Sequence, residues 1–222
     1  MSYCIYLVED EENLNQVLSH YISEEGWQVQ SFTRGMEAQK KIMTPPDLWV
    51  LDIMIPDLDG IQLIKAIKAE TPEIPVIFIS ARNSDIDRIM GLELGSDDYL
   101  AKPFLPRELI IRIQKILQRT YSDAPKTYHD IIQVDGYQVD QSRRTVCKKD
   151  ESIELTSKEF DLLLLLIENQ NKALSRNHIL DQIWGTEAFY SDRVVDNLIK
   201  RLRKKMPDLR IETIYGFGYR RL

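Results

Sequence analysis

Residues 49–60 read WVLDIMIPDLDG, and this stretch decides the fold of the first half of the chain. Its apolar run is typical of a buried strand and ends at Asp52, and the loop that follows contains two more aspartates, a proline and a glycine. In an open parallel sheet, ligands bind in the crevice beyond the carboxyl ends of the strands. The pattern therefore predicts that Asp52 lies at a strand end and belongs to a binding or reaction site.

A single aspartate at a strand end is more often only a turn residue, so this prediction depends on the neighbouring strands. Residues 3–8 precede Glu9 and Asp10, residues 76–79 precede Ser80, and residues 99–101 precede Lys102. Clustered carboxylates raise one another's pKa unless a cation intervenes, and Mg²⁺ prefers a few carboxylates together with water and phosphate oxygens. The four strand ends together predict a Mg²⁺ site at which a carboxylate is phosphorylated beside an ammonium group.

Strand and helix patterns alternate along the first 119 residues. Strand patterns cover residues 3–8, 27–32, 49–52, 76–79 and 99–101, and helical patterns cover residues 11–25, 36–43, 84–94 and 106–119, with a further helix after Gly60. Successive βα units joined by right-handed crossovers produce a doubly wound sheet with helices on both faces. The first half is therefore predicted to be an α/β domain with a five-stranded parallel sheet.

Composition limits the possible classes of protein. The chain of 222 residues suits two small domains. It has neither an apolar run of roughly 20 residues nor a signal-peptide pattern, so we expect a cytoplasmic protein. Cys4 and Cys147 do not have a metal-type spacing, which argues against zinc. Residues 1–122 contain 12 Lys and Arg against 19 Asp and Glu, whereas residues 123–222 contain 17 against 16. The first half is therefore acidic, and the second half is almost neutral.

The second half begins after residues 120–130. This stretch is polar and shows neither the helical nor the strand period of apolar residues, so we interpret it as a linker. Alternating apolar residues then predict a small antiparallel sheet over residues 131–155. Thr156 followed by Glu159 has the spacing of a capping box and predicts the start of a helix. The remaining predicted elements are a helix after Ser175, a helix from Asp192 and a hairpin over residues 210–222. This order predicts an α+β domain.

The helix from Asp192 has a concentrated positive charge. Residues 192–205 contain six Lys and Arg against two Asp, and a local basic stripe is typical of nucleic-acid binding even in an acidic chain. One side of the helix is apolar, and the other contains Arg193, Asp196, Asn197, Lys200, Arg201 and Lys204. Taken alone, this is more often a solvated surface helix. Arg and Asn can nevertheless read guanine and adenine, and Lys can pair with phosphates. With the adjoining hairpin, the pattern favours a recognition helix.

Several motifs together resemble a known family. VEDE at 8–11, LDIMIPDLDG at 51–60, ISAR at 79–82 and GSDDYLAKPF at 95–104 resemble the receiver domain of two-component response regulators. LTSKEFDLL at 155–163, DRVVDNLIKRLRKK at 192–205 and ETIYGFGYR at 212–220 are similar to the winged helix-turn-helix domain of the OmpR/PhoB family. The resemblance implies a flavodoxin-like receiver over residues 1–119, a linker over 120–130 and a DNA-binding domain over 131–222. In detail the chain also resembles Gram-positive members that respond to secretion stress.

The resemblance implies roles for individual receiver residues. Asp52 is expected to accept a phosphoryl group from a partner sensor histidine kinase, and Lys102 to contact the phosphoryl oxygens after a cis peptide bond to Pro103. Ser80 and Tyr99 are expected to form the switch pair. The expected Mg²⁺ ligands are Glu9, Asp10, Asp52 and the backbone carbonyl of Met54. The protein is expected to be a regulator and not an enzyme, apart from slow loss of its own phosphoryl group.

The resemblance also implies a phosphorylation-dependent homodimer on repeated promoter half-sites, with RNA polymerase as a further partner. In the expected dimer, Arg88, Asp97 and Asp98 of one copy pair with Glu108, Arg112 and Arg119 of the other. The expected DNA contacts are Arg193, Asn197, Lys200, Arg201, Lys204 and Tyr215, with Arg201 and Asn197 at the bases. Tyr215 stands where many members have an arginine that enters the minor groove, so a weaker electrostatic contact is expected there.

Two other classes of protein share some of these features. In a haloacid-dehalogenase phosphatase, Asp52 would be the nucleophile, but the general-acid aspartate two residues later is replaced by Met54. A constitutive architectural DNA-binding protein would use the first domain only to dimerise. DNA affinity measured with and without a phosphodonor distinguishes the architectural class from phosphorylation control.

Overall fold

The computed structural model describes residues 2–81, 91, 94–121, 131–149, 151–185 and 192–222. The chain divides into two compact units, Met1–Ser122 and Asp123–Leu222. Most of the helix predicted over residues 84–94 and most of the predicted linker lie outside the described residues. The last helix of the first unit continues to Tyr121, two residues beyond the predicted limit of the receiver.

The first unit is an α/β domain. Its sheet has the strand order β2-β1-β3-β4-β5, and every neighbouring pair is parallel. The elements are β1 Cys4–Val8, α1 Glu12–Glu24, β2 Gln28–Phe32, α2 Gly35–Gln39, β3 Leu48–Asp52, α3 Gly60–Glu70, β4 Val76–Ser80, β5 Asp98–Ala101 and α4 Pro106–Tyr121. The predicted five-stranded parallel sheet is confirmed.

Both faces of this sheet are buried, because its central strands are covered on each side. One core cluster contains Trp49 and Phe78, and the other contains Val50 and Ile77, so successive residues of β3 and β4 enter opposite cores. This explains why these strands are continuously apolar and do not alternate. The covered sheet leaves the loops at the strand ends as the place where polar side chains collect.

Helical spacing over residues 11–25 predicts a buried stripe of Leu14, Val17, Leu18, Tyr21 and Ile22, and the structure fully buries only Leu18 and Ile22 of these. Val17 and Tyr21 belong to that stripe, yet they are 44% and 38% exposed. Asn15 is buried instead, because its side-chain amide donates hydrogen bonds to the carbonyl oxygens of Glu9 at 2.8 Å and Phe32 at 3.1 Å. Since both bonds are made, the buried amide holds α1 to the ends of β1 and β2.

The second unit contains two antiparallel sheets and three described helices. The sheets have the orders β6-β7-β8-β9 and β10-β12-β11. The elements are β6 Ile131–Val134, β7 Tyr137–Asp140, β8 Thr145–Lys148, β9 Glu151–Ile153, α5 Ser157–Glu168, β10 Leu174–Ser175, α6 Arg176–Trp184, α7 Asp192–Lys205, β11 Ile211–Ile214 and β12 Gly218–Arg221. The predicted α+β arrangement with a C-terminal hairpin is confirmed.

Local sequence determines where the helices of the second unit begin. Thr156 and Glu159 form the predicted capping box at the start of α5, and the Ser175 hydroxyl accepts a hydrogen bond from the amide of His178 at the start of α6. Strand β10 was not predicted, because two residues are too few to show a period. A Cβ at Gly218 would overlap the carbonyl oxygen of Leu174, so glycine permits this strand pairing.

No helix among the described residues is long and apolar enough to cross a membrane.

Candidate functional site

Three carboxylates meet at the carboxyl edge of the parallel sheet. Asp52 ends β3, and Glu9 and Asp10 follow β1; one oxygen of each lies within 4.8 Å of the others. Glu9 is 0% exposed and Asp52 is 3% exposed, whereas Asp10 faces solvent. The structure therefore brings together the acids of two strands that are separated by about forty residues of sequence, as their positions at strand ends require.

Lys102 links two of these carboxylates. Its ammonium nitrogen lies 2.6 Å from Oδ2 of Asp52, and 2.9 and 2.7 Å from the two oxygens of Glu9. Lys102 follows β5, its backbone N–H donates to the carbonyl of Ser80, and the peptide bond to Pro103 is cis, as the resemblance implied. The ammonium thus lies where it can neutralise charge on both buried acids.

Burial and charge change the titration of this cluster. Desolvation raises the pKa of Glu9, and the neighbouring Asp52 charge raises it further, while hydrogen bonding and attraction from Lys102 oppose the rise. Burial lowers the pKa of Lys102, but the hydrogen bonds and charges of Asp52 and Glu9 outweigh it and raise the pKa overall. A buried carboxylate of this kind favours a bound cation.

The loop after β3 is held in place around Asp52. The amide of Met54 donates to Oδ1 of Asp52 at 2.9 Å, and the amide of Gly60 donates to the carbonyl of Ile53 at 3.0 Å. A Cβ at Gly60 would overlap the carbonyl oxygen of Asp52, so only glycine permits this approach of the backbone. The other oxygen of Asp52, Oδ2, contacts Lys102.

Ser80 and Tyr99 lie on the neighbouring strands β4 and β5. Ser80 ends its strand and is 0% exposed, and Tyr99 is 1% exposed with its ring centroid 6.4 Å from that of Phe78. Both predicted switch residues are therefore inside the domain in this conformation.

The acidic cluster has the chemistry of a Mg²⁺ site. Mg²⁺ is bound in proteins by one or two carboxylates at about 2.0 to 2.1 Å, with water and phosphate oxygens completing an octahedron. Glu9, Asp10 and Asp52 each offer one oxygen within 4.8 Å of the others. The buried Glu9 also has a raised pKa that a cation would relieve. The residues present fit the ion.

The predicted dimer residues pair within one chain in the described receiver. Arg112 contacts both Asp98 and Glu108 at 2.8 Å. Asp97 is 2% exposed and accepts a hydrogen bond from Arg119 at 3.2 Å. Asp97 also accepts from the backbone of Val76 and lies 3.7 Å from the ammonium of Lys68. Arg88 lies outside the described residues.

The polar side chains of α7 fall into two groups. Arg193, Lys200 and Lys204 are exposed, while Asn197 and Arg201 are half-buried. Arg201 donates from Nε to Oε1 of Glu159 at 3.1 Å. The side chains of Arg193, Lys200 and Lys204 are therefore exposed to solvent, whereas the side chain of Arg201 is held against the start of α5.

The hairpin of β11 and β12 presents an aromatic tip. Tyr215 is 93% exposed and Phe217 is 47% exposed. Arg220, which follows the tip on β12, donates a hydrogen bond to the carboxylate of Glu212 at 2.6 Å. The tip therefore presents two aromatic rings, and one of them, Tyr215, stands at the position for which a weaker electrostatic contact with DNA was predicted.

Comparison with known proteins supports this architecture. The family model "Response regulator receiver domain" matches residues 5–114, and "Transcriptional regulatory protein, C terminal" matches residues 150–221. The transcriptional regulatory protein CssR of Bacillus subtilis is 58% identical over 221 residues, which covers 99% of this chain and 98% of CssR. The chain belongs to the OmpR/PhoB family of response regulators.

Other relatives of this OmpR/PhoB-family chain agree with the assignment. The phosphate regulon regulatory protein PhoB of Escherichia coli is 35% identical over 223 residues, covering 97% of this chain and 96% of PhoB. The crystal structure of DrrB, an OmpR/PhoB homologue from Thermotoga maritima, matches with a TM-score of 0.54 and 32% identity, covering 100% of this chain and 99% of DrrB. These relatives are named as regulators, and the chain is a transcriptional regulator of the two-component type.

Two residues that hold other site residues in place were not predicted from the sequence. Asn15 holds the turn that contains Glu9, and Glu159 bonds Arg201 in addition to capping its own helix. A capping-box glutamate was visible in the sequence, but its second partner lies 42 residues away. Such contacts between distant elements leave no periodic signal.

Proposed function

We propose that this response regulator accepts a phosphoryl group on Asp52 from a histidine kinase. A carboxylate oxygen of Asp52 attacks phosphorus, the bond from phosphorus to the kinase histidine nitrogen breaks, and an acyl phosphate forms on Asp52. The leaving group is the imidazole of the kinase histidine, which stays on the kinase and takes up a proton. The residues around Asp52 must then compensate the charge that is added to an already acidic edge of the sheet.

The contact of Lys102 with both Asp52 and Glu9 is the observation that supports this proposal most directly. Its ammonium lies 2.6 Å from Oδ2 of Asp52, so it is already beside the atom that would bear the phosphoryl group. Glu9, Asp10, Asp52 and the backbone carbonyl of Met54 are proposed to hold Mg²⁺, which when bound would neutralise phosphoryl oxygens. The proposed switch pair, Ser80 and Tyr99, would respond to the modified site.

The proposal is tested by incubating the full chain with Mg²⁺ and acetyl phosphate and measuring intact mass. The wild-type chain should gain one phosphoryl group that neutral hydroxylamine removes, as expected for an acyl phosphate. Asp52→Asn should gain none. Asp59→Asn is the matched control, because Asp59 lies in the same loop and caps α3 through the amide of Ile61, and asparagine caps equally well. Phosphorylation of Asp52→Asn at the wild-type level would contradict the assignment.

We further propose that phosphorylation promotes a homodimer through the helix predicted over residues 84–94, β5 and α4. Asp98, Glu108 and Arg112 form a partly exposed cluster, with side chains 15%, 44% and 26% exposed. An arginine between two carboxylates can exchange one of them for a carboxylate of a second copy without a large electrostatic cost. Asp97, Arg119 and Arg88 belong to the same proposed interface. Because Asp97 is buried, we expect it to hold Arg119 in place and not to contact the second copy directly.

We propose that the second unit binds promoter DNA through α7 and the hairpin tip, in a winged helix-turn-helix mode. The exposed cations Arg193, Lys200 and Lys204 would contact phosphates, Arg201 and Asn197 would contact bases, and Tyr215 would contact the DNA beside the major groove. A dimer would place two such helices about one helical turn apart on repeated half-sites. RNA polymerase is the proposed further partner. Secretion stress is the proposed stimulus, because of the resemblance to Gram-positive regulators.

A further inference from the structure

Asp196 is an acidic residue on the proposed recognition helix, and its carboxylate is hydrogen-bonded to two other elements of the domain. Its Oδ1 accepts a hydrogen bond from Nε of Arg176 at 2.8 Å and another from the hydroxyl of Tyr219 at 2.7 Å. Arg176 is the first residue of α6, and Tyr219 lies on β12. Asp196 therefore ties α7 both to the preceding helix and to the C-terminal hairpin.

The partners of Asp196 are themselves fixed. The ring of Tyr219 lies near two guanidinium groups, with the central carbon of Arg176 5.1 Å and that of Arg203 5.6 Å from its centroid. Arg203 also donates to the carbonyl of Ile211 at 2.8 Å and to the hydroxyl of Thr213 at 3.0 Å. The carboxylate of Asp196 is thus attached to a network of bonded groups and not to a mobile surface side chain.

A second anchor holds the opposite flank of α7. Glu159 is 1% exposed, and its carboxylate accepts hydrogen bonds from Arg201 at 3.1 Å and from Lys205 at 2.8 Å. Glu159 is fixed in turn, because it also accepts from the backbone amide of Thr156 in the capping box. The helix is therefore bonded on the hairpin side through Asp196 and on the α5 side through Glu159.

The angular positions on α7 show what lies between these anchors. Each residue of an α-helix turns the chain by about 100°, so Arg201 lies about 140° from Asp196 around the helix axis. The side chains between them, at about 40° to 100° from Asp196, are Arg193, Asn197, Lys200 and Lys204. The proposed DNA-facing stripe is thus centred between the two anchored flanks.

We propose that Asp196 is a positioning residue that fixes the rotation of α7 about its axis and thereby decides which side chains face the bases. The inference rests on the proposed binding of DNA by α7. The side chain of Asp196 is 43% exposed, so its negative charge stays near the surface that DNA would approach. A negative charge at this place repels the phosphates of DNA. If Asp196 orients α7, the same residue still improves the discrimination between DNA sequences.

The test compares Asp196→Asn with Asp192→Asn in the full chain. Asp192 is exposed in the first turn of the same helix, so both variants remove one negative charge from α7, but only the first removes a charge bonded to Arg176. A random duplex library is first enriched with the phosphorylated wild-type chain. Affinity is then measured for the enriched duplex and for a scrambled duplex, at a temperature well below unfolding of every variant. A loss of folded protein lowers both affinities and leaves their ratio unchanged.

Asp192→Asn should bind both duplexes more tightly and keep the wild-type ratio. Asp196→Asn should reduce the ratio of the two affinities about tenfold, or about 1.4 kcal/mol, because an uncharged amide oxygen accepts the bond from Arg176 more weakly than a carboxylate does, and α7 is then held less firmly in its rotation. Tyr219→Phe keeps the ring and removes only the hydroxyl bond to Asp196, so it should reduce the ratio in the same direction by a smaller factor, and it serves if Asp196→Asn does not fold.

If Asp196→Asn and Tyr219→Phe both keep the wild-type ratio of affinities for the enriched and scrambled duplexes, Asp196 does not position α7 and the inference is overturned. A different result would contradict the proposed function itself: if the wild-type chain enriches no sequence from the library, the proposed DNA binding fails and the inference fails with it.

Discussion

Replacing Lys102 with methionine tests the electrostatics of the acidic site. The change keeps a side chain of similar length and removes the ammonium, which lies 2.6 Å from Asp52 and 2.7 Å from Glu9. Two buried carboxylates would then face each other without a cation. The variant should therefore be less stable than the wild type in the absence of Mg²⁺, and it should bind Mg²⁺ more tightly.

The size of the effect follows from the exposure of the three groups. Removing one partner of a fully buried ion pair costs about 3–5 kcal/mol, and removing an exposed one costs about 0–1 kcal/mol. The side chain of Lys102 is 18% exposed, while the side chains of Glu9 and Asp52 are 0% and 5% exposed. An intermediate value of about 2 kcal/mol is expected, which corresponds to a decrease of about 5–10 °C in the unfolding midpoint of a domain of this size.

Thermal unfolding of Lys102→Met should be followed across a Mg²⁺ titration. Mg²⁺ should recover most of the lost stability, because it replaces the missing positive charge, and the apparent affinity for Mg²⁺ should rise on the order of tenfold. Lys68→Met is the matched control: Lys68 is 8% exposed and lies 3.7 Å from Asp97, away from the acidic cluster. Its loss of stability should not depend on Mg²⁺. Equal losses for the two variants, both insensitive to Mg²⁺, would refute this reasoning.

Three further predictions follow from single contacts. Asn15→Ala should destabilise the receiver by about 1–3 kcal/mol in chemical denaturation, since the carbonyl of Glu9 loses the donor that Asn15 supplies and the carbonyl of Phe32 keeps only the backbone amide of Glu9; an unchanged midpoint would contradict the part assigned to Asn15. Gly60→Ala should prevent normal phosphorylation by acetyl phosphate, because its Cβ would overlap the backbone of the acceptor residue; wild-type labelling would show that the loop tolerates the shift. Arg201→Ala should cost about 1–3 kcal/mol on the enriched duplex and flatten discrimination at one base pair, whereas Lys204→Ala should weaken binding to all duplexes and reduce the salt slope by about 1. Equal losses on enriched and scrambled DNA for Arg201→Ala would contradict base reading.

The fold was predictable because each element has a strong local signal. Continuous apolar runs predicted buried parallel strands, and the position of Asp52 at the end of one run predicted the edge of the sheet where it lies. Glu9 and Lys102 could be assigned to the same edge from their own strands. The capping box of Thr156 and the hydroxyl cap of Ser175 likewise predicted helix starts that the structure contains.

Contacts between distant elements could not be predicted in this way. Asn15 occupies a buried position on α1, where its amide donates to two carbonyl groups outside the helix, whereas the hydrophobic period alone predicted Val17 at a buried position. The pairing of Arg201 with Glu159 depends on how α7 lies against α5, which helical period does not determine. For the same reason, the burial of Asp97 beneath Arg119 was not visible in a sequence that suggested a surface charge.

The central claim is that phosphorylation of Asp52 controls DNA binding. The most direct test measures affinity for the enriched duplex before and after treatment with acetyl phosphate and Mg²⁺, in the wild-type chain, in Asp52→Asn and in the control Asp59→Asn. Affinity should rise on treatment in the wild type and in Asp59→Asn, and it should not change in Asp52→Asn. The same affinity in all three chains with and without treatment would instead indicate a constitutive architectural DNA-binding protein and would contradict the account.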